Sequence, residues 1–390
     1  MNPAKQLPLP GTPTAGRIST PQALEIVARV HPKYRPAWDG RSPREQTALA
    51  LYFLPQRSRK PLLGPTRPRV LKWYCPFADQ SVFPSGHRYC INVYTGCSHN
   101  CAYCYAAAYE PSRPSPKKHF ARHLAKDMDD LERFNVPPAP VHVSNSTDPL
   151  QPVEAVTGHT RAALEHILAH RHRFTTVTVL TKNPSLLVTH EYTPLLQSLL
   201  ELPRGHPRRE QFTERGLPGL RVEVSLAFRR EPARQALEPG VPTIADRIAG
   251  IRALRAAGIP VVLRIDPLFP RWPQHGGCPS SPRSSLLMNA QTLDDLDLLV
   301  QLARESGAAH VVYSALKIVQ PRGRPLSDAM QTMRRIFERL AQPQKPQFRG
   351  GAWRLPEEVA HDRIIRPFLT ICRAHGVVAK HCMQNLLETP

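Results

Sequence analysis

The sequence predicts an α/β protein built on a parallel sheet covered by helices. Three observations lead there. Short β-branched runs recur from residue 88 onward, patterns of helical period lie between them, and the strand candidates read as near-continuous apolar runs. Strands of that kind are buried on both faces, which leaves a complete or partial α/β barrel or an open doubly wound sheet.

The strands are expected at residues 89–94, in VHVSNS from Val141, in TTVTVLTK from Thr175, in LRVEVSLA from Leu220, in IPVVLRIDPL from Ile259 and in HVVYSAL from His310. Helices are expected at residues 160–170, 244–257 and 293–305, the second closed by Gly258 as a C-cap. The series contains at least six β-α units, and in either architecture function gathers at the C-terminal ends of the strands.

Residues 1–87 read as a basic, proline-rich N-terminal arm, 88–318 as the β-α region and 319–390 as a C-terminal α/β extension. The chain holds 43 prolines in 390 residues, about twice ordinary usage. Two short helices are expected in the arm, at Ser19-Thr20-Pro21 and at Ser42-Pro43, each a cap residue followed by a proline suited to the first turn. The first 70 residues carry 12 basic and 3 acidic side chains, and the whole chain a formal charge of +21. Such a field attracts polyanions, so nucleic acid is the expected partner class. Basic residues interleave with aromatics in QRSRKPLLGPTRPRVLKWYC, through Arg57, Arg59, Lys60, Arg67, Arg69, Lys72, Trp73 and Tyr74, and again in FRGGAWRLP. No run is long and apolar enough for a membrane span and no secretory signal is legible, so the cytoplasm is expected. Thiols stay reduced there, which favours metal ligation or catalysis for clustered cysteines over disulfides.

Polar residues fall where the strands end. Ser144 to Asp148 follow the second strand and Thr181-Lys182-Asn183 the third; Ser225 is late in the fourth, Arg264 and Asp266 in the fifth, and Ser314 and Lys317 close the sixth. After the first comes GCSHNCAYCYA, with Cys97, Cys101 and Cys104 at C-x3-C-x2-C spacing. A structural zinc site wants four ligands and a second pair that the sequence lacks. A redox C-x-x-C leaves Cys97 idle. A four-iron four-sulfur cluster on three thiolates leaves one iron open for a substrate or cofactor. Cys75, Cys90, Cys278, Cys372 and Cys382 could in principle build a second cluster, but their irregular spacing favours ordinary buried cysteines, and His99 reads as an ordinary loop residue.

With these motifs the chain resembles the radical S-adenosylmethionine enzymes. YTGCSHNCAYCYA, SNSTDP, TVLTKN, VSLAF, LEPGVPT and LRAAGIPVVLRIDPLFP are similar, more narrowly, to the spore photoproduct lyase-like or "DNA repair photolyase" branch, over residues 88–317. The resemblance implies a partial (β/α)6 TIM-like barrel. It implies a [4Fe-4S] cluster on Cys97, Cys101 and Cys104, whose open iron chelates S-adenosylmethionine, and an electron donor such as flavodoxin or ferredoxin. Reductive cleavage then gives methionine and a 5′-deoxyadenosyl radical that abstracts hydrogen. By position, Tyr103 packs near the adenine, Ser146 and Thr147 meet the cofactor's amino acid end, Lys182 pairs with its carboxylate and Ser225 reaches a ribose hydroxyl. Asn145 stands where spore photoproduct lyases carry a hydrogen-donor cysteine. Cys382, Cys278 or Tyr105 could replace that donor. The expected activity is therefore lyase-like, on a nucleic acid lesion or base. The alternatives are a radical enzyme acting on a peptide or small metabolite, and a non-catalytic iron-sulfur or zinc protein that binds nucleic acid.

Overall fold

The computed structural model describes residues 70–72, 89–111, 113–133, 138–189, 191–272, 282–321 and 323–382. Nearly all of the expected basic arm, and Cys75 and Cys278 with it, lie outside the described residues. The strands of the main sheet and of a three-stranded side sheet are β1 (Leu71–Lys72), β2 (Tyr89–Ile91), β3 (Ala139–Val143), β4 (Phe174–Thr181), β5 (Leu220–Ser225), β6 (Val261–Leu268), β7 (Val311–Ala315), β8 (Ile318–Val319), β9 (Gln347–Arg349), β10 (Ala352–Arg354) and β11 (Ala379–His381).

Eight of them form one sheet in the order β1-β2-β3-β4-β5-β6-β7-β11. β1 is antiparallel to β2, and every other neighbour is parallel. Strand order follows chain order, so the sheet has no reversal of the kind that defines a doubly wound fold. The near-continuous apolar runs produce the expected burial: Val141, Val143, Val177, Val179, Val222, Val224, Val261 and Leu263 are all buried. A seventh parallel strand, β11, comes from the segment expected to be a C-terminal extension, and it pairs with β7 through Ala379 opposite Val311.

Helices α1 (Phe120–Arg133), α2 (His159–Ala169), α3 (Ile244–Ala256), α4 (Leu293–Glu305), α5 (Asp328–Leu340) and α6 (Arg366–Ala374) are the longer ones among the described residues. Local chemistry sets their ends. Thr243 caps α3 by accepting from the Asp246 amide at 3.1 Å, and α3 runs into Gly258 at a φ of +76°. Thr292 and Asp295 form a reciprocal capping box on α4. The first strand is shorter than expected. It stops at Ile91, because the Asn92 side chain turns to accept the amides of Asn145 and Ser146 at 3.0 and 3.3 Å. Tyr94 and Thr95 then pair with Ser115 and Pro116 outside the main sheet. Among the described residues, no helix is long and apolar enough to cross a membrane.

Candidate active site

The cysteine loop follows β2 and is fixed by backbone clamps. Gly96 enters it at a φ of +77°, and a Cβ there would lie 2.3 Å from the Arg113 carbonyl oxygen. Buried Gln151 spans the loop, accepting from the Ser98 amide at 2.6 Å and donating to the Gly96 carbonyl at 3.2 Å. From the far side, residues 237–240 hold it. The Ala102 amide donates to the Leu237 carbonyl at 2.9 Å and the Gly240 amide to the His99 carbonyl at 3.1 Å. The three cysteines are free thiols. Burial pushes Cys97 up to about 12, with Asp148 adding to the effect. Burial also raises Cys104 and lifts Cys101 well above the ordinary thiol value, while Lys182 favours the thiolate of both.

All ten residues expected at the site line one cavity of about 210 Å³: the three cysteines, Tyr103, Tyr105, Ser146, Thr147, Lys182, Ser225 and Cys382. Cys97 follows β2 and Cys382 follows β11, six interstrand spacings away in the sheet. A flat sheet would separate those strands by about 29 Å. One shared cavity therefore requires the sheet to curl, as in a partial barrel.

Beside the thiols lies a buried polar network. Lys182 Nζ donates to Glu238 Oε1 at 2.6 Å, Ser225 Oγ at 2.8 Å and Tyr103 Oη at 2.9 Å. An ammonium has three N–H groups, and all three are used. Pairing with a cofactor carboxylate, as expected for Lys182, would require it to release one of these partners. Tyr103 also donates its hydroxyl to Glu238, and its ring meets Phe228 and Phe269 edge-on at 6.2 and 5.4 Å. Burial raises Glu238, but Lys182 and Arg247 outweigh it and hold the carboxyl near 2.

On the strand-two turn, Ser146 Oγ meets Tyr109 Oη at 3.0 Å. Thr147 Oγ1 is buried without a hydrogen-bond partner among the described residues. Asp148 accepts from Thr181 Oγ1 at 2.8 Å and from the Lys182 and Leu150 amides at 2.6 and 2.9 Å. Burial raises Asp148, but His99 and these amides hold it below the usual carboxylate range. His99 is thus more than a loop residue: it is buried, with Nδ1 3.4 Å from Asp148 Oδ2.

Arg264 also lines the cavity and donates to Glu223 at 2.7 Å and to Asp266 at 2.6 Å. Asp266 also accepts from Ser314. The Cys382 amide donates to the Tyr313 carbonyl at 2.9 Å. Burial, reinforced by Asp266, raises the Cys382 thiol above its ordinary value. Tyr105 donates its hydroxyl to the Asn145 carbonyl, and Lys317 Nζ lies 5.4 Å from its ring centroid. Asn145 itself donates to Cys90 Sγ at 2.8 Å.

The donor set fits a cluster. Among the described residues, no three His, Cys, Asp or Glu side chains could hold a single metal ion as they stand; the three thiols line a cavity with room for a larger group. They are soft ligands that burial makes reluctant to ionise without a cation. The orphaned Thr147 hydroxyl supplies a polar contact for a ligand in that space. Glu238, Arg247 and Gly240 were not expected at the site. Arg247 leaves a trace in the sequence, because it falls on the apolar stripe of α3 with Ile244, Ile251 and Leu254.

No family model matches the chain. Uncharacterized proteins of Mycobacterium bovis and Mycobacterium tuberculosis are 25% identical to it over 197 residues, covering 48% of this chain and 52% of theirs. The chain thus spans about half the length of the curated relatives it matches. Among solved structures, a cysteine-to-serine variant of spore photoproduct lyase covers 81% of this chain and 80% of its own, with a TM-score of 0.50 and 14% identity. A radical S-adenosylmethionine methyltransferase from Kitasatospora setae covers 60% of this chain and 36% of its own, with a TM-score of 0.40 and 17% identity. The first likeness is one of fold: this chain shares the fold of spore photoproduct lyase.

Proposed function

We propose that a chain with this fold and this cavity is a radical S-adenosylmethionine enzyme of the cytoplasm that acts on nucleic acid, with Cys97, Cys101 and Cys104 ligating a [4Fe-4S] cluster. The observation that carries the reading is the convergence of three free thiols, the strand-end residues and Cys382 on one cavity. When bound, the cluster supplies one-electron reductive cleavage of S-adenosylmethionine and, from it, hydrogen abstraction from an unreactive C–H bond. The electron comes from a flavodoxin- or ferredoxin-class donor.

The chain's own residues bind, orient and return hydrogen. Ser146 and Thr147 receive the amino acid end of the cofactor, with the free Thr147 hydroxyl as the first contact. Tyr103 and Ser225 receive the nucleoside end. Lys182 contributes charge, since its donors are taken. Cys382 and Tyr105 supply hydrogen from the far wall, in place of the cysteine that Asn145 replaces. Burial and Asp266 favour the neutral Cys382 thiol, the form that has a hydrogen atom to give.

Nucleic acid is supported by charge and by the rim. Strand β10 pairs with β9 on one side and with β8 on the other, and β8 directly follows Lys317 on the cavity wall. Phe348 is 58% exposed and its ring lies 4.7 Å from that of Trp353. The Arg334 guanidinium sits 4.6 Å from the Trp353 ring. Arginine beside exposed aromatics suits phosphate contact and base stacking.

The test is anaerobic reconstitution with iron and sulfide, then dithionite and S-adenosylmethionine, with 5′-deoxyadenosine followed by chromatography. Product is expected from the wild type and not from Cys101→Ala. A fully loaded wild type that yields none overturns the reading. With a damaged oligonucleotide in deuterated buffer, Cys382→Ala is expected to keep 5′-deoxyadenosine formation and lose solvent deuterium from the nucleic acid product.

A further inference from the structure

The LEPG stretch at residues 237–240 has so far served only to clamp the cysteine loop. Its Glu238 does more. The carboxylate is 0% exposed, as is Arg247. Glu238 Oε1 takes the Lys182 ammonium at 2.6 Å, and Oε2 faces Arg247 Nη2 at 2.9 Å. The remaining contacts of both cations are neutral. Lys182 donates to Ser225 and Tyr103, and Arg247 donates to the Ser225 carbonyl at 3.1 Å.

Buried Arg247 and the largely buried Lys182 therefore share one buried carboxylate, next to the loop that carries Cys97, Cys101 and Cys104. An uncompensated charge in such a place is costly unless an opposite charge is to arrive. Three thiolates and the cluster they hold carry net negative charge, and reduction adds one more negative charge. A fixed positive charge nearby stabilises the reduced form most.

We propose that Lys182, Glu238 and Arg247 form a charge trim beneath the cysteine loop: the two cations make a bound cluster easier to reduce, and Glu238 limits how far. This rests on the cluster reading above and adds to it the residues that set the cluster's potential. Tyr103 links the two parts mechanically, because it belongs to the loop and bonds both Lys182 and Glu238. The three residues are positioning groups; none needs to touch substrate.

The test uses the full chain, reconstituted anaerobically without S-adenosylmethionine, and reads the midpoint potential from the electron paramagnetic signal of the reduced cluster. Removing one buried charge at an effective dielectric constant near 20 shifts the reduction equilibrium by about tenfold, or about 59 mV for one electron. Glu238→Gln is expected to raise the midpoint by about that much. Lys182→Met and Arg247→Met are each expected to lower it, and Arg247→Lys to restore it. The two cation variants stand for each other should one fail to fold. Loaded variants whose midpoints stay within threefold of the wild type, or move the opposite way, overturn the charge trim and leave the cluster reading intact. A wild type that binds no iron overturns the cluster reading and this proposal with it.

Discussion

Replacing Gly240 by alanine measures how firmly the cysteine loop is gripped. The added Cβ would lie 2.3 Å from the Ser98 carbonyl oxygen and 3.0 Å from the His99 Cα and carbonyl oxygen. All three are backbone atoms, so no side-chain rotation relieves the clash. Overpacking of this kind costs about 1–3 kcal/mol. Relief by separation would also break the Gly240 to His99 and Ala102 to Leu237 hydrogen bonds, each worth about 1 kcal/mol. The expected destabilisation is thus about 3–5 kcal/mol, concentrated where the thiols are displayed. Gly258→Ala is the control. It sits at a φ of +76° with nothing within 4 Å of the added carbon, so it should cost only about 1–2 kcal/mol for the left-handed backbone. Urea melts of the apo chain and iron content after reconstitution are the two assays. Gly240→Ala should melt earlier than Gly258→Ala and lose more than half its iron, while the control keeps its iron. Equal melts and equal iron in the two variants would show that residues 237–240 do not hold the loop.

Three further outcomes follow from the geometry. Thr147→Val removes a hydroxyl that has no partner among the described residues, so the urea midpoint should hardly move while S-adenosylmethionine affinity, by calorimetry on the reconstituted chain, falls about tenfold. Burial, with Arg171 and Arg208 nearby, lowers His206 from 6.5 to about 4. The unfolded chain therefore takes up that proton first, and stability is full above pH 6.5 and lost as pH falls toward 4. His206→Gln should flatten the urea midpoint across that window. Phe348→Ala should leave the melt unchanged and weaken binding to a labelled single-stranded oligonucleotide by about tenfold, the scale of one lost stacking contact.

The strands that position the site were legible because β-branched runs buried on both faces leave little ambiguity. Their polar ends were legible by position: Ser225 closes LRVEVS, Lys182 follows TTVTVLT, and Thr147 lies just beyond VHV. β11 was not, since AKH is three residues long and has neither a β-branched run nor a period. Only its pairing with β7 makes it a strand, and through it Cys382 reaches the cavity. Glu238 stands in the LEPGVPT motif, but its place at the site was not legible, because it lies on a loop between a short helix and α3, where the strand-end rule does not look. The burial of Arg247 on an apolar helix face was the available signal, for a cation there needs an anion within reach. His99 was underrated because sequence spacing shows the cysteines but not the carboxylate of Asp148, brought in from another strand.

The curl of the sheet also acts as a lever. Interstrand rotations add along the series, and six of them separate the thiols of the loop from Cys382. A change of roughly 2° in each would accumulate to about 12° at the ends, against an ordinary rotation of about 20–25° per pair. Tuning the gap across the cavity therefore needs no residue that faces it. Methyl groups added or removed beneath the central strands, at Val222 or Val224 for example, would act like a screw turned at the pivot of a pair of tongs, and selection for a wider or narrower substrate could operate deep in the interior, out of sight of the chemistry.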